Sequence, residues 1–266
     1  MFLKATLFSL SVLAVSSKSV PGYFGDNLEE LTRGWEGFIV GGQDAASGQF
    51  PHTVSIRTTA NTHFCGGFIL TNRWVGSAAH CTLNRTPEST WIIVGALLLS
   101  SGGTNVFTNR IVNHPDLYPW DEAGDISLLQ TRDPIIFSAT AAPLVLGSNH
   151  IGPGVVATVS GWGRTAHGAD AFPDTLQWIN THTITNEECY QRLPSNDAHI
   201  LQDNMVCTVT QAGEGMCQGD SGGALFVGNT VIGVVSWGIA PCGQGFPDVF
   251  TRISTYYNWL LIQMES

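Results

Sequence analysis

Three short stretches of this 266-residue chain carry residue types that together can attack a carbonyl carbon and expel the group bonded to it. Cys217-Gln218-Gly219-Asp220-Ser221-Gly222-Gly223 sets a serine among glycines, whose backbone freedom exposes the hydroxyl and brings neighbouring N–H groups close to it. Ser77-Ala78-Ala79-His80-Cys81 fixes an imidazole beside a cysteine, and Gly124-Asp125-Ile126-Ser127-Leu128-Leu129 brings an acid to the start of an apolar run. A serine hydroxyl is a weak nucleophile until a base takes its proton. An imidazole can be that base near neutral pH, and a carboxylate can orient the ring and stabilise its charged form. The chemistry this set allows is acyl transfer. Taken singly, the three have bland uses as a turn serine, a core histidine and a strand-edge acid. The other histidines, His52, His63, His114, His150, His167, His182 and His199, belong to no such constellation and read as surface or structural residues.

Groups so far apart in sequence need a rigid frame to meet. Runs such as Trp91 to Val94, Val155 to Ser160 and Val231 to Trp237 are short, apolar or alternating, and bounded by Gly, Pro, Asn or Asp, which predicts strands joined by tight turns. Helical spacing without a breaker occurs only near the end, from about Ser254 through Trp259 to Gln263, and predicts one C-terminal helix. With 30 Gly, 12 Pro and 12% charged residues, the composition suits an all-β chain with a large core.

The N-terminus, Met1-Phe2-Leu3-Lys4 followed by an apolar stretch from Ala5 to Val15 and then Ser16-Ser17, has the form of a secretory signal over residues 1–17. Its apolar run is shorter than the ~20 residues a membrane-spanning helix needs, and no later segment is long enough either. Residues 18–38 have scattered acids, Pro21, several glycines and no sustained period, and read as a propeptide. Export implies an oxidising compartment, so the even set Cys65, Cys81, Cys189, Cys207, Cys217 and Cys242 reads as disulfides rather than metal ligands. No metal or other cofactor is expected. A net charge of −10 without a basic run argues against nucleic acid as a partner.

The motifs are in the order His, Asp, Ser, and with Ile39-Val40-Gly41-Gly42, Cys65-Gly66-Gly67, Gly161-Trp162-Gly163 and Ser236-Trp237-Gly238 the chain resembles the chymotrypsin and trypsin family of serine proteases from Ile39 to the C-terminal helix. The resemblance implies two packed six-stranded antiparallel Greek-key β-barrels, about residues 39–143 and 144–266, with the substrate in the crevice between them. It implies a secreted, extracellular and monomeric endopeptidase, with His80, Asp125 and Ser221 as the catalytic triad and the N–H groups of Gly219 and Ser221 as the oxyanion hole. Ser236 is expected near Asp125. Disulfide pairs Cys65–Cys81, Cys189–Cys207 and Cys217–Cys242 are carried over from the family. So is activation, in which a new ammonium at Ile39 turns inward to pair with Asp220. The residue before Ile39 is Phe38, where the family commonly has Arg or Lys, so the expected activator cuts after Phe38 and is chymotrypsin-like.

The family's specificity pocket maps onto Gly215, Met216, Ser236, Trp237, Gly238 and Asp248. Gly215 stands where trypsins carry Asp, while Asp248 stands where most relatives have Gly, a combination that resembles the brachyurin-type serine collagenases. Broad or chymotrypsin-like cleavage after Phe, Tyr, Leu or Met is expected. Whether Asp248 adds cleavage after Arg or Lys, or instead faces solvent or caps local amides, stays open. Protein and peptide substrates and protein protease inhibitors are the implied partners, and digestion the implied role. The alternatives are a catalytically inactive homologue acting as a binding or regulatory module, or a narrow cascade protease. No triad residue is replaced, and no trypsin-like pocket or extra domain is present to favour either. Asn84-Arg85-Thr86 fits the N-glycosylation pattern with Pro87 following, and whether Asn84 is modified stays open.

Overall fold

Strand formers interrupted by turn residues fold from Ile39 onward into two closed sheets. A computed structural model describes residues 39–117 and 123–265. The segments read as signal (1–17) and propeptide (18–38) lie outside the described residues. A two-residue strand β1 (Gln43–Asp44) leads into β2 (Thr53–Arg57), β3 (His63–Ile69), β4 (Trp74–Ser77), β5 (Trp91–Val94), β6 (Thr104–Asn113) and β7 (Ser127–Thr131). The six strands β2 to β7 close in the order β2-β3-β4-β7-β6-β5. A short helix α1 (Ala79–Thr82) follows β4 and carries His80.

The second half begins with β8 (Val145–Leu146) and continues through β9 (Val156–Gly161), β10 (Gln177–Ile184), β11 (Met205–Val209), β12 (Ala224–Val227), β13 (Thr230–Gly238) and β14 (Asp248–Arg252). Its order β10-β11-β14-β13-β12-β9 is closed by the β9–β10 pairing, giving a second six-stranded antiparallel barrel. The short strand β8 is added parallel to β13, and β1 pairs with β10. The stretch around residue 43 therefore joins the sheet of the second barrel although it precedes the first in sequence.

Two helices follow local signals. Helix α2 (Asn186–Arg192) starts where the Thr185 side chain accepts from Glu188 N–H at 3.0 Å, and the Arg192–Glu188 pair sits one turn apart on it. The periodicity reading above did not separate this helix from its loop, because seven residues give too few turns to show a period. Helix α3 (Ile253–Glu265) buries Ile253, Tyr256 and Leu260 against first-barrel residues such as Trp74 and Leu128. Its Met264 carbonyl accepts from Trp74 Nε1 at 3.1 Å, and its Tyr256 hydroxyl accepts from Gly124 N–H at 3.1 Å, beside Asp125. The terminal helix thus braces the loop that carries the catalytic-type acid. No helix among the described residues is long and apolar enough to cross a membrane.

Candidate active site

The nucleophile-type loop of the second barrel docks directly onto the first. Gly66 N–H on β3 donates to the Ser221 carbonyl at 2.8 Å, and Ser77 Oγ on β4 donates to the Gly66 carbonyl at 2.9 Å. A side chain at Gly222 (φ +82°) would run into this junction, so only glycine lets the two barrels approach here.

Asp125 precedes β7 and is fully buried. Its Oδ1 accepts from His80 N–H at 2.8 Å, and its Oδ2 accepts both from His80 Nδ1 at 2.8 Å and from Ser236 Oγ at 2.6 Å. Thr251 on β14 ties the Asp125 carbonyl at 2.8 Å. Burial alone would push this carboxyl up, but the bonds from His80 and Ser236 outweigh it and hold Asp125 below the ordinary carboxylate range. Because a carboxylate only accepts, Nδ1 of His80 carries a proton, which leaves Nε2, 3.6 Å from Cys81 Sγ, as the ring nitrogen that can take one. His80 and Ser221 both line the same open cleft.

Around Ser221 the main-chain donors divide into two groups. The N–H groups of Asp220, Gly222 and Gly223 bond to the carbonyls of Cys217, Val235 and Asp220 at 3.0, 2.8 and 2.9 Å. Those of Gly219 and Ser221 bond to no protein group among the described residues, and so remain available to an incoming oxygen. Sequence reasoning missed what sets the Gly219 peptide. His63, filed above with the unassigned histidines, directs Nε2 to the Gly219 carbonyl at 3.1 Å and Nδ1 to Ser55 Oγ at 2.8 Å, while Arg57 Nε donates to the same Ser55 oxygen at 2.9 Å. A carbonyl can only accept, so His63 carries its proton on Nε2. Burial pushes its pKa down to about 4, which keeps the ring neutral. The one signal in the sequence was its place two residues before Cys65.

On one side of Ser221 opens a pocket of about 140 Å³, walled by the Cys217–Cys242 disulfide, Met216, Ser236, Trp237 and Gly238, with Asp248 among its lining residues. Asp248 lines the pocket, is buried rather than turned to solvent, and accepts Met216 N–H at 3.1 Å, so it caps a local amide. The missing side chains make the room. A Cβ at Gly215 would lie 3.2 Å from Asp248 Oδ2, and one at Gly238 would lie 3.1 Å from Oδ1. Burial, with the charge of nearby Asp220 added, pushes the Asp248 pKa up to about 7. No cation pairs with it among the described residues.

Asp220 is buried too, accepting from Gly163 N–H at 2.8 Å and Cys217 N–H at 3.0 Å, and burial pushes its pKa up to about 7. Ile39 is fully buried in the core cluster that contains Met216, and Val40 exchanges a backbone bridge with Gly215. The start of the domain therefore already lies against the pocket segment. Disulfides Cys65–Cys81 and Cys189–Cys207 complete the three bridges, the first beside His80. Cys65 and Cys81 lie within metal-ligand reach of His80, but their sulfurs are bonded to each other, which leaves no thiolate to bind a metal. Asn84 is exposed and lines the cleft.

Two closed barrels with an acid, an imidazole and a serine converging between them define a serine protease of the double-barrel class. The family model for trypsin matches residues 39–260, and the chain belongs to that family. It is 32% identical over 226 residues to trypsin beta of Drosophila erecta, covering 85% of this chain and 88% of that protein, and 30% identical to trypsin delta of Drosophila melanogaster with the same coverage. Among solved structures it resembles neuropsin, a serine protease expressed in the limbic system of mouse brain, with a TM-score of 0.76 and 27% identity over 84% of this chain and 98% of that one. The protein is a serine endopeptidase, acting on protein and peptide substrates.

Proposed function

We propose that Ser221 Oγ attacks the scissile carbonyl while His80 Nε2 takes its proton, and that the oxyanion settles on the N–H groups of Gly219 and Ser221. Each such donor is worth roughly 3 to 4 kcal/mol in the transition state. His80 then gives its proton to the leaving amine, and water hydrolyses the acyl-enzyme by the same steps in reverse. The observation that carries this reading is the grip on Asp125 Oδ2 by both His80 Nδ1 and Ser236 Oγ, which supports an imidazole oriented through Nδ1 with Nε2 left to take the proton.

The enzyme is made as a secreted precursor and works as a monomer in a digestive role, open to protein inhibitors. A chymotrypsin-like protease, this enzyme itself included, removes residues 18–38 by cutting after Phe38. The new ammonium of Ile39 turns inward to Asp220, a buried carboxylate that has two N–H donors and no cation among the described residues. Specificity is broad. The pocket takes Phe, Tyr, Leu or Met against Met216 and Gly238, and takes Arg or Lys when Asp248 is ionised. The trypsin names of the relatives and the pocket position of Asp248 both support the second half of that statement. The test is kcat/KM of processed enzyme on matched peptides ending in Phe, Leu, Ala, Arg or Lys. Hydrolysis after Phe, Leu and Arg, with Ser221→Ala inert, is the expected result, and no cleavage by a correctly processed enzyme would overturn the reading.

A further inference from the structure

Ser221 stands between two openings. One is the pocket lined by Asp248, which takes a side chain from the acyl half of a substrate. The other is a cleft of about 680 Å³ bounded by His80, the Cys65–Cys81 disulfide, Phe64, Arg85 and Gln218. His80 delivers its proton to the leaving amine, so the residues after the scissile bond run into this second cleft.

Arg85 is set there as a fixed cation. Its guanidinium carbon lies 3.5 Å from the centroid of the Phe64 ring, and no carboxylate pairs with it among the described residues. Its backbone is held from both sides: Arg85 N–H donates to Thr82 at the end of α1, and the next residue, Thr86, caps the 3₁₀ turn Pro87–Ser89. Outside the lining of this cleft, the guanidinium carbon of Arg164 lies 5.5 Å from the Phe172 ring centroid, and the Arg164 backbone N–H donates to the Gln218 carbonyl at 2.8 Å. From Ile39 onward the chain has eight arginines against seventeen carboxylates and no lysine. Of those few cations Arg85 lines the cleft and lies over an aromatic ring, and it is in no salt bridge among the described residues. A guanidinium stacked on a ring keeps its in-plane N–H edge free for a carboxylate.

We propose that this cleft is an acid-selective subsite: substrates with Asp or Glu within the first three positions after the scissile bond are cleaved preferentially, and Arg85 on Phe64 is the group that recognises them. The inference rests on the proteolytic reading above, and its test separates the two. Quenched fluorescent peptides with one fixed acyl half would carry Glu, Ala or Lys at each of the three following positions, and a chromogenic anilide of the same acyl half would carry nothing after the bond. Processed wild type, Arg85→Gln, Arg85→Glu and Arg164→Gln are compared by kcat/KM. At one position or more Glu should exceed Ala by about three- to five-fold at low salt, the range of a partly exposed ion pair, and the gain should fade as salt rises. Arg85→Gln should abolish that gain and Arg85→Glu should reverse it in favour of Lys, while the anilide is hydrolysed equally by all four enzymes. Equal rates for Glu, Ala and Lys in wild type would overturn the proposal. So would a preference that survives Arg85→Gln, whether or not Arg164→Gln removes it. An enzyme inert on the anilide as well would overturn the proteolytic reading and the subsite with it.

Discussion

Three buried carboxylates lie around the cleft, and they are finished to different degrees. Asp125 has three donors from His80 and Ser236, and they hold it below the usual carboxylate range despite its burial. Asp220 has two main-chain donors and Asp248 one, and burial pushes both up to about 7. The contrast separates a carboxylate held below its ordinary range by its donors from two pushed above it by burial with no cation beside them among the described residues. Asp125 has its cation-to-be in His80. On the proposed function, Asp220 would pair with the ammonium of a cut chain and Asp248 with a side chain of the substrate.

The comparison breaks most sharply at the charged site. Ser221→Ala should lower kcat on a peptide by about 10⁶-fold, and Asp125→Asn by about 10⁴-fold through the wrong imidazole tautomer, as is general for Ser-His-Asp triads. A peptidase assay on folded, processed protein checks both. At the first unfinished site, Asp220→Asn should leave cleavage before Ile39 possible but lower kcat/KM about 10²- to 10³-fold. Removing one partner of a buried pair costs roughly 3 to 5 kcal/mol. N-terminal sequencing of the variant separates failed activation from failed processing. At the second, Asp248→Gly should lose about ten- to a hundred-fold on Arg and Lys substrates, since a desolvated charge partner is removed, with Phe and Leu substrates little changed. Full Arg cleavage by that variant would mean that the charge is read elsewhere.

The smallest effect concerns a buried base rather than an acid. His52 lies between Phe50 and Phe226 with Nε2 unpartnered among the described residues, and burial pushes its pKa down to about 4. A folded pKa below the unfolded value near 6.5 means the unfolded chain binds the extra proton, so this contribution to stability is present above about pH 6.5 and is lost as pH falls toward 4. His52→Phe should therefore raise Tm more at pH 5 than at pH 7.5. An equal change at both would contradict a titrating His52.

Much of the frame was legible because strand and turn signals are local. The run Trp91 to Val94 is a strand of the first barrel, and the spacing after Ser254 is the terminal helix. What stayed hidden depends on contacts between distant segments. Nothing in Gln43-Asp44 announces pairing with Trp178 and Gln177, and nothing in Val112-Asn113-His114 shows that Tyr256 will brace the loop after it. At the site, the motifs name residue types but not directions. Asp248 could be singled out, yet its orientation depends on the space left by Gly215 and Gly238. His63 escaped notice because its partners, Ser55 and Gly219, are 8 and 156 residues away.

The most direct test of the unfinished-carboxylate account is the pH dependence of the ratio of kcat/KM for matched Arg and Leu substrates, measured from pH 5 to 9 on processed wild type and Asp248→Asn. Effects on His80 and Ser221 are common to both substrates and cancel in the ratio, which leaves the charge on Asp248 in the free enzyme. The ratio should climb through about pH 7 in wild type, where Asp248 loses its proton, and stay low and flat in the variant. A ratio independent of pH in wild type, or one that climbs equally in Asp248→Asn, would contradict it.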